Sequence, residues 1–150
     1  APTTTKAPTT KPATTLSPNM AVKVCPENWA TYNSKCYQLT GGQTTWTDAK
    51  AKCASVGAYL VQVDNLAESN FLLTLNATNL QSAWLDLNAV NQKMVNSAGL
   101  APTFTNFKAG VDTTTGCAVQ IRDKASTSVG SWKTEVCSAL RTYYCEKVPL

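Results

Sequence analysis

From about residue 24 onward, apolar positions fall in short runs broken by polar turns, with two stretches of helical spacing between them. Lys35-Cys36-Tyr37-Gln38-Leu39 alternates as a strand does, after a polar turn at Asn33-Ser34. Gly41-Gly42 ends that strand. Thr44-Thr45-Trp46-Thr47-Asp48 then opens a helix, with Asp48 three residues after a threonine cap and close to the positive end of the dipole. Trp46, Ala49 and Cys53 share one face of it, Lys50 and Lys52 point elsewhere, and Gly57 is the expected stop. Tyr59-Leu60-Val61-Gln62-Val63 reads as a further strand. Asn65 with Glu68 makes a second capping box, followed by a helix whose buried stripe is predicted to be Ala67, Phe71 and Leu75.

At the centre stands Trp84-Leu85-Asp86-Leu87-Asn88, an apolar run led by an aromatic and suited to a buried strand. From Asn88 to about Gly116 no periodicity is visible, a length that in a compact domain points to function or disorder. Pro102, Phe104 and Phe107 predict that part of this loop packs down. Cys117-Ala118-Val119-Gln120-Ile121 is a strand, and a turn through Ser126-Thr127-Ser128 and Gly130 leads to Trp132. Thr142-Tyr143-Tyr144-Cys145-Glu146 closes the chain as a last strand, expected to pair near the first. Two helices among short strands predict an α+β domain.

Composition separates the first part of the chain from the rest. Residues 1–20 hold seven Thr, one Ser and four Pro with no acidic residue, too little apolar surface to offset the entropy of ordering. A tract of this kind is the signature of an O-glycosylated, mucin-like stalk. Residues 1–23 are therefore predicted to be a disordered stalk and 24–150 the folded domain. No signal-peptide pattern precedes the stalk and no apolar run approaches membrane-spanning length, which reads as a mature secreted chain without membrane insertion.

Six cysteines, at 25, 36, 53, 117, 137 and 145, form no Cys-x-x-Cys pair, and histidine is absent. Disulfides are then the economical reading, and they imply an oxidising, extracellular setting. A Cys25–Cys36 bridge would staple the first hairpin. The net charge of +4 includes Lys6 and Lys11 of the stalk, and the other basic residues are scattered, so nothing points to nucleic acid. Without histidine no Ser-His or Cys-His pair can be built, and a non-enzymatic chain without a cofactor is expected. Asn76-Ala77-Thr78 is the one N-glycosylation sequon.

Cysteine order, two helices, a central tryptophan strand and the long loop after it resemble the C-type lectin-like domain. The residues that carry the resemblance include Cys25-Pro26, Trp29, Cys36-Tyr37, Ala58-Tyr59-Leu60-Val61, Trp84-Leu85-Asp86-Leu87, Thr105-Asn106-Phe107, Gly130-Ser131-Trp132 and Cys145-Glu146-Lys147. It implies the pairing Cys25–Cys36, Cys53–Cys145 and Cys117–Cys137, one of fifteen possible for six cysteines. The family's central strand usually carries glycine where Asp86 stands here.

The resemblance also locates a calcium site. In sugar-binding members one calcium ion on the long loop grips the sugar hydroxyls through hard carboxylate and amide oxygens. Carried over residue by residue, the Glu-Pro-Asn-type triplet falls on Val111-Asp112-Thr113, a glutamate position on Thr115, and the Asn-Asp pair on Lys133-Thr134. Four ligand positions have become Val111, Thr113, Thr115 and Thr134, and the fifth is lysine, whose charge would repel a divalent cation. Lys133 is either a solvated surface lysine or a cation filling the site. Asp112 and Glu135 remain nearby as the carboxylates from which a displaced calcium site would have to be rebuilt. The resemblance places Trp132 in the core and Phe107 beneath the loop.

The expected function is a secreted or surface-coat binding module that recognises an extracellular glycan or protein without the usual calcium. Its ligand face is expected to include Asp112, Thr113, Thr115, Lys133, Thr134 and Glu135. Two rivals stand beside it: a structural mucin-type coat glycoprotein, and a calcium-dependent lectin with relocated ligands.

Overall fold

A computed structural model describes residues 24–149 of the chain. The predicted stalk lies outside the described residues. The elements run β1 (Ala30–Tyr32), β2 (Lys35–Leu39), α1 (Trp46–Ser55), β3 (Tyr59–Leu60), α2 (Leu66–Leu72), β4 (Ala83–Val90), β5 (Lys93–Val95), β6 (Cys117–Gln120), β7 (Trp132–Glu135) and β8 (Thr142–Lys147). The main strand order is β1-β2-β8-β4-β6-β7, with β3 on β8 and β5 on β4. The last strand does pair with the first hairpin, Cys36 opposite Lys147, and also runs parallel to β4, Trp84 beside Tyr143. This parallel pair makes the sheet mixed, within the expected α+β domain. β4 is the hub, bonded to β5, β6 and β8, which is why its first five residues are buried.

α1 begins where its cap predicts. Thr45 Oγ1 accepts the Asp48 N–H at 3.2 Å, and Trp46, Ala49 and Cys53 are the buried face. Gly57 follows the last turn at φ +73°, the left-handed conformation that a stop of this kind requires. α2 is capped by Asn65, whose side chain accepts Glu68 N at 2.8 Å. Its buried face is Glu68, Ser69 and Leu72, not the predicted stripe. Ala67 is exposed, and Phe71 and Leu75 are half-buried at the core's edge. The expected stripe failed because polar residues here are drawn inward by bonds. Glu68 accepts from Tyr37 OH at 2.6 Å and Asp64 N at 2.7 Å, and Ser69 accepts from Gln120 Nε2 and Trp132 Nε1.

Two strand boundaries also differ from expectation. β3 stops at Leu60 because Val61 splits its bonds: its N–H still donates to Tyr144 O of β8, but its carbonyl turns to β4 and accepts from Asp86 N. The apparently featureless stretch after Asn88 begins with a hairpin, since β4 runs on to Val90 and β5 returns from Lys93. Its turn holds Asn91 at φ 50° and Gln92 at φ 66°, and glutamine is not a residue that announces a left-handed turn.

All three implied disulfides are present, with Cα separations of 5.5, 5.5 and 5.1 Å. Cys53–Cys145 closes 92 residues and ties α1 to β8. In the chain-entropy model its contribution is about 4.6 kcal/mol, against about 3 for each shorter loop.

A polar network threads the core. Arg122, only 3% exposed, donates to the carbonyls of Leu72, Leu75, Asn76 and Asn79, which closes the open end of α2 and the turn after it. It also donates to Tyr144 OH, whose own proton goes to Gln120 Oε1 at 2.6 Å; burial pushes that phenol up to about 12. A second cluster joins Lys35, Asp64, Glu68, Tyr37, Tyr59 and Glu146. Glu146 is fully buried; its Oε1 accepts Gln62 N at 2.7 Å, and its Oε2 has an ion pair with Lys35 Nζ at 3.3 Å but no hydrogen bond.

Burial raises the Glu146 carboxyl from an ordinary 4.5 to about 7, against the pull of the Gln62 N–H and Lys35, and with Glu68 adding repulsion. The folded state therefore binds this proton more tightly than the unfolded chain. The resulting stability is complete below about pH 4.5 and is lost as pH rises through about 7. Its full size is about 3 kcal/mol. Melting temperature should fall across that window, and Glu146→Gln should flatten the fall; a variant whose profile stays as steep as the parent's contradicts the assignment.

Candidate functional site

The long loop is held down by one residue of the sheet. Trp132, at the start of β7 and 1% exposed, meets the edges of Phe104 and Phe107 with ring centroids 5.7 and 5.6 Å away. Its backbone N–H donates to Asn106 O at 2.9 Å and its carbonyl accepts Lys108 N at 3.0 Å, so the loop is laced to the strand on both sides of the ring. Trp132 is core and Phe107 packs beneath the loop, as the resemblance implied.

The loop has a second anchor that sequence reasoning missed. Asp86, 2% exposed in β4, accepts from Gln62 Nε2 at 2.7 Å, from Ser97 N at 3.1 Å and from Ser97 Oγ. A charge inside Trp-Leu-Asp-Leu was the available signal, since a buried carboxylate must be bonded to something. Asn96 continues the anchor by accepting the N–H groups of Ala98 and Leu100 on its side-chain oxygen.

The six residues of the expected ligand face surround the β6–β7 end of this loop, but they do not form one cluster. Side chains alternate along β7, so Lys133 and Glu135 share one face while Trp132 and Thr134 share the other. Thr134 Oγ1 donates to the Asp112 carbonyl at 2.9 Å and fastens the loop to the strand. The exposed Asp112 carboxylate turns back on its own loop, accepting from Thr114 N at 2.9 Å and Thr114 Oγ1 at 2.5 Å, which holds it below the usual carboxylate range. Glu135 lies between two cations, Lys133 Nζ at 3.1 Å and Arg141 Nη2 at 2.5 Å. Lys133 is a partly exposed lysine whose ammonium is paired with Glu135. Thr115, Thr134 and Glu135 border an open hollow of about 400 Å³ beside the Cys117–Cys137 bridge. Gly116 at its edge has no room for a side chain, because a Cβ there would lie 2.7 Å from Glu135 O.

The sequon is accessible. Asn76 is exposed with φ 42°, and Thr78 Oγ1 lies 3.2 Å from its side-chain oxygen.

The family model described as Lectin C-type domain matches residues 42–147. The chain belongs to that family. Among curated relatives of this C-type lectin domain is the CD209 antigen of Nomascus concolor, 28% identical over 128 residues. That match takes in 82% of this chain but 31% of the relative, so the chain spans less than a third of that protein. Two solved structures share the fold. Human lithostathine superposes with a TM-score of 0.72 at 26% identity, covering 83% of this chain and 99% of its own. The Ca²⁺-independent C-type lectin SPL-2 from Saxidomus purpuratus gives 0.73 at 25% identity, covering 82% and 93%. The family match begins at residue 42, yet β1 and β2 belong to the same sheet through the β2–β8 pairing and the Cys25–Cys36 bridge.

Trp132→Phe keeps a ring in place but gives up the Nε1 bond to Ser69 Oγ. It should cost about 1–2 kcal/mol by denaturant unfolding. Trp132→Ala removes the ring on which the loop rests and should cost about 3–5 kcal/mol. Equal losses for the two would show that the ring carries no more than its hydrogen bond.

Proposed function

We propose that this domain is a secreted, extracellular binding module that recognises a glycan or protein through its long-loop face without the family's calcium. The observation that carries the reading is the state of the carboxylates near the ligand positions. Glu135 is neutralised by Lys133 and Arg141, and Asp112 accepts two bonds from Thr114. Val111, Thr113, Thr115 and Thr134 offer no charge in their place. Calcium affinity rests on ligand charge and number, and this donor set does not fit the ion. A displaced site built from Asp112 and Glu135 would have to break both ion pairs first.

Other features support the reading. Trp132, Asp86 and Thr134 tie the loop to the sheet through the protein's own contacts, which supports a binding surface that does not rely on a metal. A solved relative of the same fold is described as a calcium-independent lectin. Three disulfides fit an oxidising compartment, and no helix among the described residues is long and apolar enough to cross a membrane. Residues 1–23 would serve as a mucin-like stalk and 24–150 as the binding domain, with Asn76 carrying an N-linked glycan.

A glycan array with the whole chain, read in calcium and again in EDTA, tests this. Retained binding in EDTA is the expected result, with a melting temperature that calcium leaves unchanged. Binding lost in EDTA would contradict the calcium-free reading and restore the relocated-ligand alternative. Absence of glycan binding in both buffers would leave the protein-ligand branch, to be followed with extracellular protein libraries.

A further inference from the structure

We propose that the cavity beneath the long loop binds a small organic cation, an ammonium group carried on one ring or a short apolar body. The cavity lies between β4, the segment around Val61 and Val63, and loop residues 100–104, and its volume is about 150 Å³. An apolar cavity of about this size is large enough for a benzene-sized molecule. Leu85, Leu87, Pro102, Phe104 and Trp132 supply an apolar and partly aromatic wall. Aromatic walls of this kind attract cations as well as apolar groups.

The charge on the lining is of one sign. Asp86 and Asp64 line the cavity and no lysine or arginine does. Asp64 is exposed and shares its charge with Lys35 at 3.6 Å. Asp86 is different: it is 2% exposed, and none of the ion pairs among the described residues includes it. Its carboxylate takes three hydrogen bonds from Gln62 and Ser97, and a carboxylate offers about four acceptor positions. One N–H of an ammonium group completes that set and supplies the missing counter-charge, while the apolar body fills the space under Phe104. A neutral molecule of the same shape gains the wall but leaves the carboxylate as it was. This site lies apart from the Asp112–Glu135 surface and does not rest on the glycan reading.

The test titrates the whole chain with benzylammonium chloride and, separately, with its neutral isostere benzyl alcohol, both at matched ionic strength. NMR follows the Ser97 amide and the Phe104 and Trp132 ring signals. The expected result is saturable shifts at these three residues for the ammonium, with affinity at least about tenfold above the alcohol. Asp86→Asn, if folded, should bring the two affinities together. Equal affinities in the parent chain would overturn the proposal, as would shifts centred elsewhere or no saturable binding. The comparison of two ligands on the unaltered chain decides the matter even if the variant fails to fold.

Discussion

The middle of the long loop is tied to the sheet through Trp132, buried beneath it. The ring packs between the sheet and the loop, two phenylalanines meet it in edge-to-face contacts, and its own backbone is bonded to the loop before and after Phe107. Its indole N–H reaches Ser69 on α2, so the same side chain joins the loop, the sheet and a helix. A metal ion is one way to order a long irregular segment. Aromatic packing and backbone bonds tie this loop to the sheet, and Asp86 with Ser97 and Thr134 with Asp112 fix it at two further points.

The core that supports this loop contains several buried polar and charged side chains. Glu68, Ser69, Gln120, Arg122 and Glu146 are all buried. Arg122 is the clearest case, because the carbonyls it satisfies belong to the last turn of α2 and to the irregular stretch after it. Without a guanidinium fork at that point those carbonyls would face an apolar interior. The network exchanges some hydrophobic stabilisation for a defined path through residues 73–79, and the disulfides offset the loss by restricting the unfolded chain.

Much of this was legible in the chain. Both helix starts followed from Thr45 and Asn65 with an acidic residue three positions on, and Trp84 marked the central strand because an aromatic-led apolar run has few other places to go. The disulfide pairing came through resemblance, since spacing leaves fifteen options open. What could not be read were features set by distant partners. The inward turn of Glu68 and Ser69 depends on Tyr37, Gln120 and Trp132, and no helical periodicity reveals that. The β4–β5 hairpin hides behind Asn91-Gln92, which lacks a turn-forming glycine. The division of the expected ligand face follows from side chains alternating along β7, with Arg141, across the turn after that strand, pairing with Glu135.

On the proposed reading, protein contacts and not calcium order the long loop. Amide hydrogen exchange measured in calcium and in EDTA tests it directly, at Ser97, Lys108 and Trp132, whose N–H groups make the anchoring bonds. Equal protection in the two buffers is the predicted result. Protection that collapses in EDTA and returns with calcium would contradict it, and would mean that a metal holds the loop after all.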